Sequence, residues 1–166
     1  MSQPSSTSPS EDTVKIVDLM RKDRTVMVGT VLTDGSIQSR PMSVQTVEDD
    51  GTLWFFAHDD GPLAAQLTSH PQVNVAFAGS DHWVSLSGTA RLEHDRARID
   101  ELWDSTTDAF FPDGKETPGL TLIEVSPDSA EYWDQPGGGV GALFTFVKAK
   151  VTGGTYDGGE TGSVDL

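Results

Sequence analysis

The chain has 166 residues, of which 36% are hydrophobic, so it can bury one core and we expect one compact domain. Its 26 acidic residues against 11 basic ones give a formal charge of −15, which disfavours binding to nucleic acid or to an anionic membrane surface. Cysteine is absent, which excludes disulfides, thiolate metal sites and cysteine nucleophiles, so redox chemistry would require a bound cofactor.

Both ends of the chain are rich in Gly, Ser, Thr and Pro and carry few apolar residues. We therefore predict disordered tails over residues 1–11 and 153–166, and one folded domain over residues 12–152. The N-terminus lacks a basic segment followed by an apolar run, and no apolar run approaches the ~20 residues that span a bilayer. These features predict a soluble cytoplasmic protein with no membrane partner.

The first predicted elements are a helix and a hairpin. Ser10 is a suitable N-cap for a short amphipathic helix that ends near Lys22. Two β-rich runs then flank Asp34-Gly35, a dipeptide that tolerates the positive φ angles of a tight type I′ turn. The sequence therefore predicts a hairpin over Thr25–Val47.

Arg40 stands on the second arm of this hairpin, where strand alternation places it on one face with Gln38 and Met42. It is the only Lys or Arg between Thr25 and Ala90, a stretch with several acidic residues, and a lone guanidinium there can anchor an anion. The following Pro41 favours a bulge or an edge, where a side chain can turn toward a ligand. The alternative is an exposed arginine that serves solubility, and the residues alone favour that alternative.

The middle of the chain predicts a core strand, a helix and a strand pair. Residues 52–58 form an apolar run that is typical of a strand buried on both faces. Pro62 suits the first position of a helix, which His70-Pro71 ends. Residues 72–78 and 82–93 alternate in polarity and are joined by a turn, so we expect an antiparallel pair.

The last third of the chain predicts further short helices and a strand. Asp95 suits the N-cap of a helix through Trp103, and a short helix and a loop follow over residues 104–118. Residues 120–134 regain strand character. Residues 142–151 fit both the helical and the strand period, and we predict a helix there.

Six short strands separated by turns, with a few small helices, predict a mainly β protein of the α+β class, built as a closed or split barrel. The pattern does not give the strand order. On strand 82–93, Trp83, Ser85 and Ser87 share one face, which suits a planar polar ligand or an interface.

Four segments, SIQSRPMSV, LWFFAHDDGPLAAQLTSHPQVNVAFA, WVSLSGTARL and AEYWD, resemble in this order the pyridoxamine 5′-phosphate oxidase-like family, and within it the general stress protein 26 branch. The resemblance covers about residues 13–152. It implies a six-stranded antiparallel split β-barrel of the FMN-binding type, which forms a homodimer and holds FMN at the subunit interface. It also reverses the preference at Arg40, which would bind the FMN phosphate.

The resemblance implies further flavin contacts, and it leaves the catalytic residues unknown. The four histidines, each 12 positions apart, lack the close spacing of a metal site, so we predict none. The segment around Trp133 is similar to the family segment whose tryptophan packs against the flavin of the partner subunit. The residues that would line the flavin, besides Arg40, are Ser39, Pro41, Met42, Ala57, His58, Trp83 and Trp133.

Two departures from the family pattern bear on the ligand. Where the family carries a Ser and, two positions on, a Lys that hold the FMN phosphate, this chain has Gly61 and Leu63. Gln45 stands where true pyridoxamine 5′-phosphate oxidases have a Lys, so we do not expect vitamin B6 oxidation. Three hypotheses follow: an FMN-dependent oxidoreductase, a non-enzymatic stress-related protein that binds a flavin or another planar anion in the same groove, and a scaffold that has lost FMN.

Overall fold

The structure is a computed structural model that describes residues 9–135 and 160–166. Within these residues the chain forms four α-helices, one 3-10 helix and eight β-strands. In chain order they are α1 (Glu11–Met20), β1 (Thr25–Val31), β2 (Ile37–Ser43), β3 (Thr46–Val47), β4 (Leu53–His58), α2 (Pro62–Ser69), β5 (Gln72–Ala78), β6 (His82–Glu93), α3 (Arg96–Leu102), α4 (Ser105–Phe110), the 3-10 helix (Gly114–Glu116), β7 (Leu120–Asp134) and β8 (Glu160–Asp165).

The strands form one antiparallel sheet with the order β2-β1-β5-β6-β7-β4-β3, and β8 pairs with β7. β7 is long enough to hold two partners in succession, β4 along residues 120–125 and β8 along residues 129–134. The sheet curls until its edge strand β2 approaches β4, with no ladder between these two strands. The predicted split barrel is confirmed, with eight rather than six strands, because β3 has only two residues and β8 lies in a segment expected to be a tail.

The core lies inside the curl and extends onto a second face of β4. Alternate residues of β5 and β6 are buried, together with Val26 and Val28 of β1, and the buried apolar residues of α1 belong to the same core. β4 is buried on both faces, as its apolar run predicted. Phe55 contributes to the main core, whereas Trp54 and Phe56 belong to a separate cluster beneath α3 and α4. This double burial fixes the position of β4 in the wall of the barrel.

The hairpin between β1 and β2 has the predicted strands but a different turn. Gly35 has φ +83°, and its N–H donates to the Leu32 carbonyl at 2.9 Å, while no non-glycine residue in the described ranges has a positive φ. A type I′ turn needs a positive φ at both of its central residues, and Asp34 does not have one, so the predicted type I′ turn was wrong. Asp34 instead accepts from the backbone N–H of Ser36 at 2.9 Å, which stabilises a wider loop without a positive φ at Asp34.

The helix ends follow the capping signals of the sequence. Ser10 accepts a hydrogen bond from the N–H of Thr13, Asp95 accepts from that of Ala97, and Pro62 opens α2. The predicted helix over residues 142–151 lies outside the described residues, as do residues 1–8 of the predicted N-terminal tail. No helix in the described ranges is both long and apolar enough to cross a membrane.

The expectation of a disordered tail over residues 153–166 is wrong for Glu160–Asp165, which form β8. Glu160 accepts a hydrogen bond from the Tyr132 hydroxyl at 3.1 Å and pairs with Lys15. Gly162 lies flat on the Tyr132 ring, where an added Cβ would come within 2.5 Å of the ring. The sequence did not predict this strand, because the segment is rich in Gly and Thr. The contacts that stabilise it come from distant parts of the chain.

Candidate functional site

A cavity of about 500 Å³ opens where the barrel is split. It lies between β2 and β4 and is bounded by the start of α2 and by α4. Its lining residues are Thr25, Arg40, Pro41, Met42, Ser43, Gln45, Phe56, Ala57, His58, Gly61, Pro62, Leu63, Thr107, Phe110 and Phe111. A volume of this size is typical of pockets that bind a small molecule or a cofactor.

Arg40 provides the positive charge of the cavity. β2 places it opposite Val28, and its guanidinium donates to Thr30 Oγ1 at 3.1 Å, Gln38 Oε1 at 2.9 Å and Gln66 Oε1 at 2.8 Å. All three acceptors are uncharged, and no carboxylate of the described residues lies within ion-pair distance of Arg40. Burial without a counter-charge lowers the pKa of the Arg40 guanidinium. Hydrogen bonds therefore hold the guanidinium of Arg40 in place, but no negative charge neutralises it.

Gln66 joins this arrangement from α2 and was missed by the sequence reasoning. Its Oε1 also accepts from the buried Thr30 hydroxyl at 2.8 Å, and its Nε2 donates to Gln38 Oε1 at 3.2 Å. Three elements, β1, β2 and α2, therefore fix the guanidinium of Arg40. No sequence signal identifies Gln66, because the contact depends on how α2 packs over the strands.

The start of α2 lines the cavity beside Arg40. Gly61 is the N-cap, and it offers no side-chain acceptor to the first backbone N–H groups of the helix. Leu63, in the first turn, lines the cavity with an apolar side chain. The second phosphate-binding pair expected from the family is therefore absent at the place where it would act, and only backbone donors remain there.

The α4 side of the cavity is aromatic. Phe111 is buried, and its ring centre lies 6.1 Å from those of Phe56 and Trp103 and 5.0 Å from that of His58. Phe110 stands at the rim and is 64% exposed. In the sequence these residues are a pair of phenylalanines among polar residues, and no pattern there indicates that they close a cavity.

A charge pair lies behind the α4 side. Arg24 forms an ion pair with Asp104, which is the N-cap of α4, and also donates to Gln45 Oε1 at 3.2 Å. The Arg24 guanidinium, with hydrogen bonds from Thr107, lowers the pKa of the Asp104 carboxyl to about 2. The carboxylate therefore stays ionised near neutral pH, and the pair adds little net charge to this side.

The structure brings together five of the residues expected to line a flavin and separates three. Arg40, Pro41, Met42, Ala57 and His58 all line the cavity. The other three do not line it, and they lie on the outer face of the sheet: Ser39, which is near Gly29, and Trp83 and Trp133, which are register partners on β6 and β7.

The outer face of the sheet carries exposed apolar side chains. Met27, Ile37, Trp83 and Trp133 are 43%, 76%, 37% and 40% exposed. Met27, Trp83 and Trp133 each alternate along their strand with residues that are buried or partly buried. Asn74 and Ser85 add a hydrogen bond of 2.9 Å on the same face. An exposed surface with large apolar side chains beside small polar ones is typical of an interaction surface.

Comparison with known proteins identifies the family of this chain. The model of the family described as "pyridoxamine 5′-phosphate oxidase like" matches residues 11–157. The chain belongs to this family. General stress protein 26 of Bacillus subtilis is 24% identical over 119 residues, which cover 69% of this chain and 82% of that protein.

Two solved structures of general stress proteins share both sequence and fold with this family member. A protein of Jannaschia sp. CCS1 assigned to general stress protein 26 has a TM-score of 0.75 and 31% identity, and the match covers 93% of this chain and 97% of that one. The general stress FMN/FAD binding protein of Xanthomonas citri has a TM-score of 0.65 and 34% identity, over 75% of this chain and 90% of that one. The chain is therefore a member of the general stress protein 26 branch.

Proposed function

We propose that this protein binds FMN in the cavity between β2 and β4, with the phosphate at Arg40. The observation that carries the proposal is the uncompensated guanidinium of Arg40, which three uncharged side chains hold at the cavity wall. A phosphate monoester supplies the missing negative charge, and arginine binds phosphate oxygens in a bidentate geometry. The flavin binding named for the Xanthomonas citri protein supports the same ligand.

The residues present are compatible with a bound flavin whose phosphate makes fewer charge-assisted hydrogen bonds. β4 offers Ala57, a small residue beside which a planar ring can lie, and Met42 gives an adaptable apolar contact. Gly61 and Leu63 supply no charge-assisted hydrogen bond, and each such bond is worth about 1.5–3 kcal/mol. We therefore expect FMN to bind less tightly than in a site with two cationic groups.

Titration calorimetry with FMN and riboflavin, together with the absorbance spectrum of the purified protein, tests the proposal. Arg40→Ala should weaken FMN binding by at least about tenfold and leave riboflavin binding nearly unchanged, since riboflavin lacks the phosphate. Arg91→Ala is the matched control, because Arg91 is exposed on β6 and pairs with Glu124 away from the cavity. Equal losses for the two ligands would remove Arg40 from the phosphate role, and no binding of either ligand would refute flavin binding.

The proposal includes a homodimer in which the flavin lies between subunits. The outer face carries Trp83 and Trp133, and a twofold interface through this face would cover their exposed rings. Trp133 would then contact the flavin of the partner. Sedimentation should give twice the monomer mass, with buried area near the ~2,000 Å² of permanent dimers. A monomer that binds flavin tightly would contradict the shared site.

FMN-dependent oxidoreduction is the finer part of the proposal, and a non-enzymatic flavin carrier is its alternative. The cofactor would supply hydride or electron transfer, whereas the protein residues position it and exclude water. Anaerobic addition of NAD(P)H to the FMN-loaded protein separates the two. Bleaching of the flavin absorbance at a rate above that of free FMN supports an oxidoreductase, and bleaching no faster than free FMN supports the carrier.

A further inference from the structure

The α4 side of the cavity differs in chemistry from the side that holds Arg40. Phe111 forms a fixed aromatic floor, because it is buried and packed against Phe56, His58 and Trp103. Phe110 lines the same cavity but leaves 64% of its surface exposed. A fixed aromatic floor beside an exposed aromatic rim is a surface on which a flat apolar ring can stack.

This side offers no free charge to a ligand. The guanidinium of Arg24 is engaged by Asp104 and by the amide oxygen of Gln45. Apart from Arg40 at the opposite wall, the lining residues include no side chain with a permanent charge. An anionic ligand would therefore lose hydration on the α4 side without gaining a partner, whereas an uncharged ring would not.

Gln45 gives the α4 side a directed hydrogen-bond donor. A guanidinium can only donate, so the Gln45 atom that faces Arg24 must be the amide oxygen. The other end of the amide, Nε2, has no acceptor among the residues that the structure describes, although Gln45 lines the cavity. Its two N–H groups are suited to an oxygen atom of a bound molecule.

We propose that the α4 surface, formed by Gln45, Thr107, Phe110 and Phe111, binds an uncharged aromatic carbonyl compound of the quinone type. The ring stacks on Phe110, and a carbonyl oxygen accepts from Gln45 Nε2. The inference rests on the proposed function, because this molecule lies beside the flavin site as its second ligand. Aromatic phosphates and carboxylates fall outside the class, since the second cation that they would need is engaged by Asp104.

Titration of the full chain with menadione, an uncharged naphthoquinone, tests the role of Phe110 with and without FMN. Phe110→Ala should weaken menadione binding about three- to tenfold and leave FMN affinity unchanged. Val14→Ala is the control, because it shortens a side chain that is 47% exposed on α1 and should change neither. A loss of FMN affinity in Phe110→Ala would assign the phenyl ring to the flavin and overturn the second ligand surface.

A second variant tests the carbonyl contact. Gln45→Leu should weaken menadione about three- to tenfold but leave 2-methylnaphthalene, which has the ring without the carbonyls, unaffected. Equal effects on the two compounds would overturn the hydrogen bond, and tighter binding of 1-naphthoate than of menadione would overturn the uncharged class. If the wild type binds no FMN, the proposed function fails, and menadione binding to the flavin-free protein still decides the inference. If menadione binds neither the FMN-loaded nor the flavin-free protein, the inference is overturned.

Discussion

Two arginines near the cavity have different electrostatic settings: Arg40 lines the β2–α2 side, and Arg24 lies behind the α4 side. On the β2–α2 side, Arg40 is held by the oxygens of Thr30, Gln38 and Gln66, none of which carries a charge. On the α4 side, Arg24 is held by the carboxylate of Asp104. Uncharged acceptors fix a guanidinium and leave its charge for a ligand, whereas a carboxylate fixes it and cancels the charge. The same residue type therefore leaves an uncompensated positive charge on one side and a neutralised charge on the other.

Gln66→Glu should remove the electrostatic difference between the two sides, and we expect it to have the largest effect on FMN affinity. A carboxylate at the amide position would pair with Arg40, as Asp104 pairs with Arg24, and would repel a phosphate. We expect FMN affinity to fall by about 1.5–3 kcal/mol, with riboflavin affinity nearly unchanged, in calorimetric titrations. Gln66→Met, which removes the hydrogen bonds without adding a charge, should lose less. If Gln66→Met and Gln66→Glu lose equally, positioning rather than charge governs the site.

A second charge on the β2–α2 side should sharpen the contrast between the sides. The double variant Gly61→Ser with Leu63→Lys places a hydroxyl and a cation where the first turn of α2 lines the cavity. FMN affinity should rise by about 1–3 kcal/mol, measured by titration, while riboflavin affinity stays constant. Gly61→Ser with Leu63→Met is the uncharged control. No gain in the Lys variant would place the phosphate elsewhere.

The smallest expected effect is on the free energy of unfolding, and it tests whether Asp104 neutralises the charge of Arg24 on the α4 side. The pKa of Asp104 is lowered in the folded protein from 3.8 to about 2, so its ionised form stabilises the fold above pH 3.8, and this contribution is lost as the pH falls through 3.8 toward 2. The Asp104 side chain is 39% exposed, so solvent screening limits the contribution to about 1 kcal/mol or less. Urea unfolding at pH 7 and pH 3 checks it.

Asp104→Asn is the variant for that comparison, because asparagine keeps the cap of α4 but loses the charge. The variant should be slightly less stable than the wild type at pH 7, and the difference should shrink at pH 3. A difference that stays constant between pH 7 and pH 3 would show that the ion pair with Arg24 does not cause it.

Features of the fold that depend on neighbouring residues could be predicted from the sequence. Capping by Ser10 and Asp95, the double burial of β4 and the strand over residues 120–134 all follow from local periodicity and chemistry. The position of Arg40 on β2 follows from strand alternation. The order of the strands and the cavity itself do not, because they depend on which distant edges meet when the sheet curls.

The parts of the site that were missed depend on contacts between distant segments. Gln66 reaches Arg40 across 26 positions of sequence, and Thr107 reaches Gln45 across 62. Neither residue belongs to a periodic or spaced motif that would identify it. Composition was misleading for β8, where a glycine that suggests flexibility instead provides the flat surface needed beside Tyr132. Local patterns therefore predicted the strands that border the site, but not the α4 side of the cavity.

The two successive partners of β7 have a consequence for synthesis of the chain on the ribosome. β4 precedes β7 and can pair with its first half at once, but β8 follows only after residues 135–159 have been added. During that interval the second half of β7, with Tyr132 and Trp133, is an unpaired edge. Unpaired edges recruit strands from other molecules, and in the finished fold β8 covers this edge of β7.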